Sequence, residues 1–282
     1  MFCEGYAFIL SPIGSFEWYI WIVARFQISI GSMTYNVITL YDVPSTVPQP
    51  WAPHIWRIRL ILNYKRLPYR TVWIELSDVE TTLRSIGAPP TSVRSDGRPV
   101  YTLPVIVDPL RSRSNPTILS NPDSIADYLE GTYPARPVYP EGSRALQLMF
   151  VRYLQEVFSK PLLPILVPLS YQRLPDRVQA HFHSTGQIAF PPLSGSQREQ
   201  AWGAVKQQFD ALATMMDQNA AGDGDGVVAM GHEVSYADFV LCSMLIWIEK
   251  VSPQDGWLRV RQWNGGRWAR LHERCRAYMD VY

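Results

Sequence analysis

His54 is the residue whose type most readily does chemistry. An imidazole in a first helical turn can act as a general acid or base, donate one hydrogen bond, or simply occupy a solvent edge. It lies in Trp51-Ala52-Pro53-His54-Ile55-Trp56-Arg57-Ile58-Arg59. Trp51 either lines a cleft or packs, and Trp56 reads as core. Other reactive groups are dispersed. Cys3, Cys242 and Cys275 are far apart and in no metal-ligand spacing, which fits a reducing, cytoplasmic setting. His181-Phe182-His183 is too tight a spacing for two ligands on one helix face, and no cysteine is near. Asp223-Gly224-Asp225-Gly226 begins like a calcium loop, but Val227 stands at the third ligand position. Phosphate-cradling, dinucleotide and nucleophile-elbow motifs are absent, so the reading is of no metal and no nucleotide.

The elements around His54 follow from patterning. Pro53 suits the opening turn of a helix, because its missing N–H has no intrahelical partner there. Ile55, Ile58, Ile61 and Leu62 then recur as one apolar stripe, with Arg57, Arg59 and Asn63 at or beyond its edges, so one side is expected packed and the other partly wet. Leu67-Pro68 stops this helix and Tyr69 to Leu76 reads as a strand; with Val37 to Tyr41 before it, the unit is β-α-β. A short helix near Val79 to Ile86 precedes a Gly, Pro and Ser-rich loop. Tyr101 to Asp108 is a strand with Pro104 near its start, and Thr117 to Ser120 is another. Asn121-Pro122 opens a helix whose buried face is Ile125, Tyr128 and Leu129, ending near Tyr133-Pro134.

From Ser143 the pattern is helical. Leu146, Met149, Phe150, Tyr153, Leu154 and Val157 mark one apolar face; Trp202, Val205, Phe209, Leu212 and Met216 mark another. Pro161, Pro164 and Pro168 interrupt the first, and Leu174 to Gln197 reads as a polar excursion. Ser235-Tyr236-Ala237-Asp238 has the form of a capping box before a helix apolar nearly all round, Phe239 to Ile248. Gly265 to Asp280 closes the chain as a charged surface helix.

At 282 residues and 47% hydrophobic, the chain supports a substantial core. With 26 basic and 25 acidic residues, net charge +1, nothing asks for nucleic acid or an anionic membrane; a small hydrophobic molecule is the better partner. Residues 1–32 are apolar but lack a basic residue before Arg25. Their longest unbroken apolar piece, Trp18 to Ala24, is too short to span a bilayer, so they read as an N-terminal extension and no membrane span is expected.

The order of elements resembles the glutathione S-transferase superfamily: an α/β thioredoxin-like domain (βαβ-ββα) over 33–134, then an all-α helical domain over 143–282. The run Trp51 to Arg59 resembles the first-helix motif of serine-type members, in particular the fungal-specific class related to bacterial β-etherases. Leu103-Pro104-Val105 resembles the strand whose proline is cis, Asn121 to Leu129 the segment that holds the γ-glutamyl end of glutathione, and Ser235 to Asp238 the helical-domain capping box. The resemblance implies glutathione as co-substrate, held by Trp51, Pro53, Leu103, Pro104, Asn121, Pro122 and Asp123. A hydrophobic co-substrate would lie against Met149, Phe150 and Tyr153, although such a stripe is more often simply core. A homodimer and a detoxification or secondary-metabolism role are further implications.

Two positions depart from the family pattern. Ala52 stands where relatives place the serine or cysteine that meets the thiol, leaving the helix start and His54 as the catalytic candidates. Pro122 stands where a serine hydroxyl and N–H would hold the γ-glutamyl carboxylate, and Asn121 replaces an acid that would pair the amine. Weak conjugation and weak glutathione affinity are expected. The competing expectations are a non-catalytic binder of aromatic or terpenoid molecules, and a secondary-metabolism enzyme that works without glutathione.

Overall fold

The computed structural model describes residues 37–47, 49–110, 112–185, 190–220 and 226–282, with the side chains of 181–185 and 220 excepted. The extension over 1–32, the His181 and His183 side chains and the residues Asp223 to Asp225 lie outside the described residues. Asn36–Tyr282 forms one compact unit.

The first half is the expected β-α-β followed by β-β-α. Ile38–Asp42 (β1) leads to the helix Pro53–Tyr64 (α1), then Tyr69–Trp73 (β2) and the short helix Val79–Ser85 (α2). A two-residue ladder pairs Ser92–Val93 with Pro99–Val100. Val105–Asp108 (β3), Thr117–Ser120 (β4) and the helix Pro122–Thr132 (α3) complete the half. The sheet order is β2-β1-β3-β4, parallel between β1 and β2 and antiparallel elsewhere, a mixed sheet. Strands are shorter than patterning predicts: β2 stops at Trp73, and β3 begins only after Pro104, whose peptide bond with Leu103 is cis.

The expected wet side of α1 is a correction. Ile55 to Leu62 are all buried, Arg57 and Arg59 included, because the helix packs on α3 and on the central helix of the second half, while Arg59 reaches Asp42 and Thr71 of the sheet. Each arginine has its own acid. Arg59 Nη2 meets Asp42 Oδ2 at 2.7 Å with both side chains sealed from water, and Arg57 Nη1 meets Asp123 at 3.2 Å. Lys65, closing α1, pairs with Glu130 at 2.6 Å and donates to the carbonyls of Tyr133 and Arg136. That grip fixes the segment joining the two halves.

The second half is helical: Arg144–Tyr153 (α4), Leu163–Tyr171 (α5), Asp176–Thr185 (α6), Gly195–Ala220 (α7), Tyr236–Val251 (α8) and Trp263–Cys275 (α9). Pro161 and Pro164 stand where the first helix breaks, but Pro168 is inside α5. A π-helical stretch Leu154–Phe158 and a 3₁₀ turn Lys160–Leu162 separate α4 from α5. The excursion after Leu174 contains α6, which starts right after Pro175. The apolar face expected on α4 is turned partly outward: Leu146, Met149 and Val157 are exposed, while Gln147 and Val151 are buried. Gln147 goes inward because its side-chain oxygen accepts from the Ala237 N–H, at the start of α8, at 3.1 Å.

The capping box is present, with Ser235 N–H donating to Asp238 Oδ2 at 2.9 Å and Ala229 N–H to Oδ1 at 2.7 Å. Burial lifts the Asp238 pKa to about 6 against the pull of these donors. α8 is buried nearly all round, as its apolar pattern requires. The closing helix is regular only from Arg267, because Asn264, Gly265 and Gly266 hold left-handed φ values of 51, 65 and 77°. It buries Trp268, Leu271 and Cys275.

Candidate functional site

Sheet register gathers the candidate residues. Tyr41 at the end of β1 is opposite Val105 at the start of β3, and Val105 is opposite Ser120 at the end of β4. These three ends form one edge of the sheet, and the chain leaves it into α1 and α3. Ala52 at the start of α1, Leu103-Pro104 before β3 and Asn121-Pro122 at the start of α3 therefore share one side of the molecule. Leu103 belongs to no strand, and its N–H and C=O meet no other backbone group in a loop or turn among the described residues.

Ala52 is the N-cap of α1, with φ −65° and ψ 116° and no side-chain cap. Its carbonyl accepts from Ile55 and Trp56, but its methyl offers nothing to a thiolate. Trp56 is buried, with Nε1 donating to the Pro50 carbonyl at 2.6 Å. Trp51 is half-buried, and its Nε1 is a buried donor that meets no acceptor among the described residues.

His54 stands one residue into α1 with Nδ1 3.3 Å from Arg57 Nη2. Dense surroundings, then the Arg57 charge, lower its pKa to about 4, opposed by Asp123. The residue as a whole is nevertheless exposed, since it opens onto a cavity. A neutral imidazole that accepts at Nδ1 carries its proton at Nε2. It can donate one hydrogen bond to an anion, but it brings no charge.

At α3, Asn121 holds φ 75° and ψ 118°, a conformation uncommon outside glycine and asparagine, and its side chain caps the helix by accepting from Asp123 N–H and Ser124 N–H. Asp123 Oδ1 accepts from Tyr236 Oη at 2.5 Å as well as from Arg57. Burial, together with the Asp123 carboxylate, holds the Tyr236 phenol well above its ordinary pKa, against the Arg57 charge, so it stays protonated and donates. This Arg57-Asp123-Tyr236 cluster ties α1, α3 and α8 together beneath the helix starts. No sequence signal marked Tyr236, because its partners lie 113 and 179 residues away.

A cavity of about 410 Å³ opens beside α1, lined by Pro53, His54 and Arg57 from the first half and chiefly by Ser159, Leu163, Val167, Met244 and Trp247 from the second. Met149, Phe150 and Tyr153 are not among its lining residues. Met149 is exposed, Phe150 packs on Tyr153 at 6.3 Å, and Tyr153 Oη donates to Gln208 at 3.4 Å. The π-helical stretch and 3₁₀ turn after Tyr153 carry Ser159 and Leu163 to the cleft instead. A separate cavity of about 450 Å³ shares no lining residue with this one; its Glu249, Lys250, His272, Glu273 and Arg276 are paired with one another. No described helix is long and apolar enough to cross a membrane.

Comparison with known proteins agrees with this fold. Residues 50–137 match the model of the glutathione S-transferase N-terminal domain, and residues 145–278 match that of the C-terminal domain. The chain is similar to the glutathione transferase GSTFuA3 from Phanerochaete chrysosporium, with 35% identity and a TM-score of 0.78 over 87% of this chain and 98% of that one. It is also similar to CsGST63524 of Ceriporiopsis subvermispora, solved in complex with glutathione, with 33% identity and a TM-score of 0.77 over 88% and 99%. The glutathione S-transferase-like protein ustS of Aspergillus flavus is 28% identical over 244 residues, 82% of this chain and 87% of that protein. A thioredoxin-like α/β half with a mixed sheet, a helical second half and these relatives lead to one assignment: the chain belongs to the glutathione S-transferase family.

Proposed function

We propose that this chain holds glutathione weakly along the edge formed by Ala52, Leu103-Pro104 and Asn121, and joins its sulfur slowly to a small apolar electrophile seated in the 410 Å³ cavity. The observation that carries the reading is the position of His54. It belongs both to the turn where the thiol would sit and to the cavity wall, so sulfur and electrophile would meet beside it. On this reading the part over about 33–134 binds glutathione and the part over 143–282 binds the electrophile. A reducing cytoplasmic setting and a homodimer fit the same reading.

Slowness follows from Ala52. A free thiol has a pKa of about 8.5, so the thiolate is scarce at neutral pH unless the site favours it. The start of α1 contributes about 0.3–1 kcal/mol to a nearby anion. The His54 Nε2–H adds one hydrogen bond, with no serine hydroxyl to reinforce it. The test is steady-state conjugation of a chlorinated nitroaromatic by the purified chain, with and without glutathione. A slow, glutathione-dependent, saturable rate is expected; a rate typical of vigorous transferases, or product formed without glutathione, overturns the reading.

A second reading is favoured by the same methyl group and by the apolar lining of the cavity: a carrier that holds aromatic or terpenoid molecules without turnover. Displacement of a fluorescent dye by such compounds, with no glutathione-dependent product, would select it.

A further inference from the structure

The first turn of α3 has no backbone N–H left for a ligand. Pro122 has none. Asp123 and Ser124 donate to Asn121 Oδ1 at 2.9 and 3.4 Å, and Ile125 donates to the Asn121 carbonyl at 3.0 Å. The helix dipole still favours negative charge, but a carboxylate is gripped at a helix start through free N–H groups, and Asn121 has taken them.

The nearest cation is engaged as well. Arg57 is 3% exposed; Nη1 faces Asp123 and Tyr236, and Nη2 faces His54. An incoming carboxylate would find only neutral groups, the Asn121 amide nitrogen and the Ser124 hydroxyl, which have no partner among the described residues. An ammonium group is better served. Arg57 and Tyr236 both use Asp123 Oδ1, while Oδ2 accepts nothing among the described residues and the side chain is 43% exposed.

Taking glutathione binding as proposed above, we infer that this chain does not read the α-carboxylate of the γ-glutamyl unit. Discrimination among thiols rests on the cysteinyl and glycyl parts and on the amine. A tripeptide with hydrogen in place of that carboxylate, 4-aminobutanoyl-cysteinyl-glycine, is then bound about as well as glutathione.

The test is calorimetric titration of the full chain with both peptides. The expected affinities differ by less than about fivefold, roughly 1 kcal/mol or less. A larger preference for glutathione overturns the inference and leaves the proposed function standing. Binding of neither peptide overturns both. The variant Pro122→Ser restores one N–H and one hydroxyl at the helix start. It should tighten glutathione by about tenfold without changing the other peptide, so that a preference appears where there was none. A folded variant with no new preference would mean that the start of α3 does not face the γ-glutamyl unit, and this too overturns the inference.

Discussion

His54 Nδ1 and Arg57 Nη2 are 3.3 Å apart on successive turns of α1, so a permanent cation stands against the one imidazole that opens onto the cavity. The guanidinium can only donate, which leaves Nδ1 the acceptor and Nε2 the protonated nitrogen. His54 is therefore expected to stay neutral well below its ordinary titration range, with a pKa lowered to about 4. A lowered histidine pKa means that the unfolded chain takes up the proton first. Its contribution to stability is then complete above about pH 6.5 and is lost as pH falls toward about 4. Nuclear magnetic resonance titration of the ring should show a neutral Nε2–H form through mildly acidic pH, and Arg57→Met should move the midpoint upward. A midpoint near the ordinary value in the native chain would contradict the contact.

Arg59 and Asp42 form the other ion pair of α1, and here both side chains are wholly buried. Desolvation raises the Asp42 pKa while Arg59 opposes it, and Val43 N–H adds a bond at 2.7 Å. Removing one partner leaves an uncompensated charge, so Arg59→Met alone should cost about 3–5 kcal/mol. Replacing both, with Arg59→Met and Asp42→Leu, should cost distinctly less than the single change. Urea unfolding of the three chains measures this, and a double variant worse than either single one would show that the pair is favourable on balance.

Much of this was legible in the sequence, and the failures have a common physical origin. Strand and helix order, the Asn121-Pro122 start and the Ser235 box are local: each depends on residues within a turn, and the structure has them all. Helical periodicity puts Arg57 and Arg59 at a wet edge because it sees one helix at a time. Their burial depends on Asp123 and Asp42, which only the fold brings near. Periodicity likewise reads Gln147 as a surface residue, whereas its side-chain oxygen accepts from the Ala237 N–H, 90 residues on, and Gln147 and Val151 face inward while Met149 is exposed. That the Asn121 oxygen is turned back onto its own helix is a further feature that the resemblance does not carry.

Val167 lies on α5 in the cavity wall, apart from Ala52, Leu103 and Asn121. Enlarging it tests whether apolar molecules and thiol occupy separate regions. Val167→Phe fills cavity volume with a rigid ring, and the displaced ligand loses the apolar burial that holds it, at about 25 cal/mol per Å². Binding of an apolar fluorescent probe is expected to weaken about tenfold while glutathione titration is unchanged. Equal loss of both would mean that the probe and the peptide compete for one place.

Ala52→Ser tests both the fold of α1 and its chemistry. Ala52 already holds the extended N-cap conformation, and its carbonyl already accepts from Ile55 and Trp56, but no side chain covers the remaining N–H groups. A serine oxygen can accept from one of them, which is worth about 0.5–2 kcal/mol of stability. The same hydroxyl is left with its hydrogen to give. Donated to a thiolate, a hydrogen bond to a charged group is worth about 1.5–3 kcal/mol, or about one to two powers of ten in thiolate population. Ala52→Ser is thus expected to melt higher than the native chain, to lower the pKa of bound glutathione read from thiolate ultraviolet absorbance, and to conjugate faster. Stabilisation without any change in thiol pKa would show that residue 52 caps the helix but does not meet the sulfur, and catalysis would then have to be sought at His54 alone.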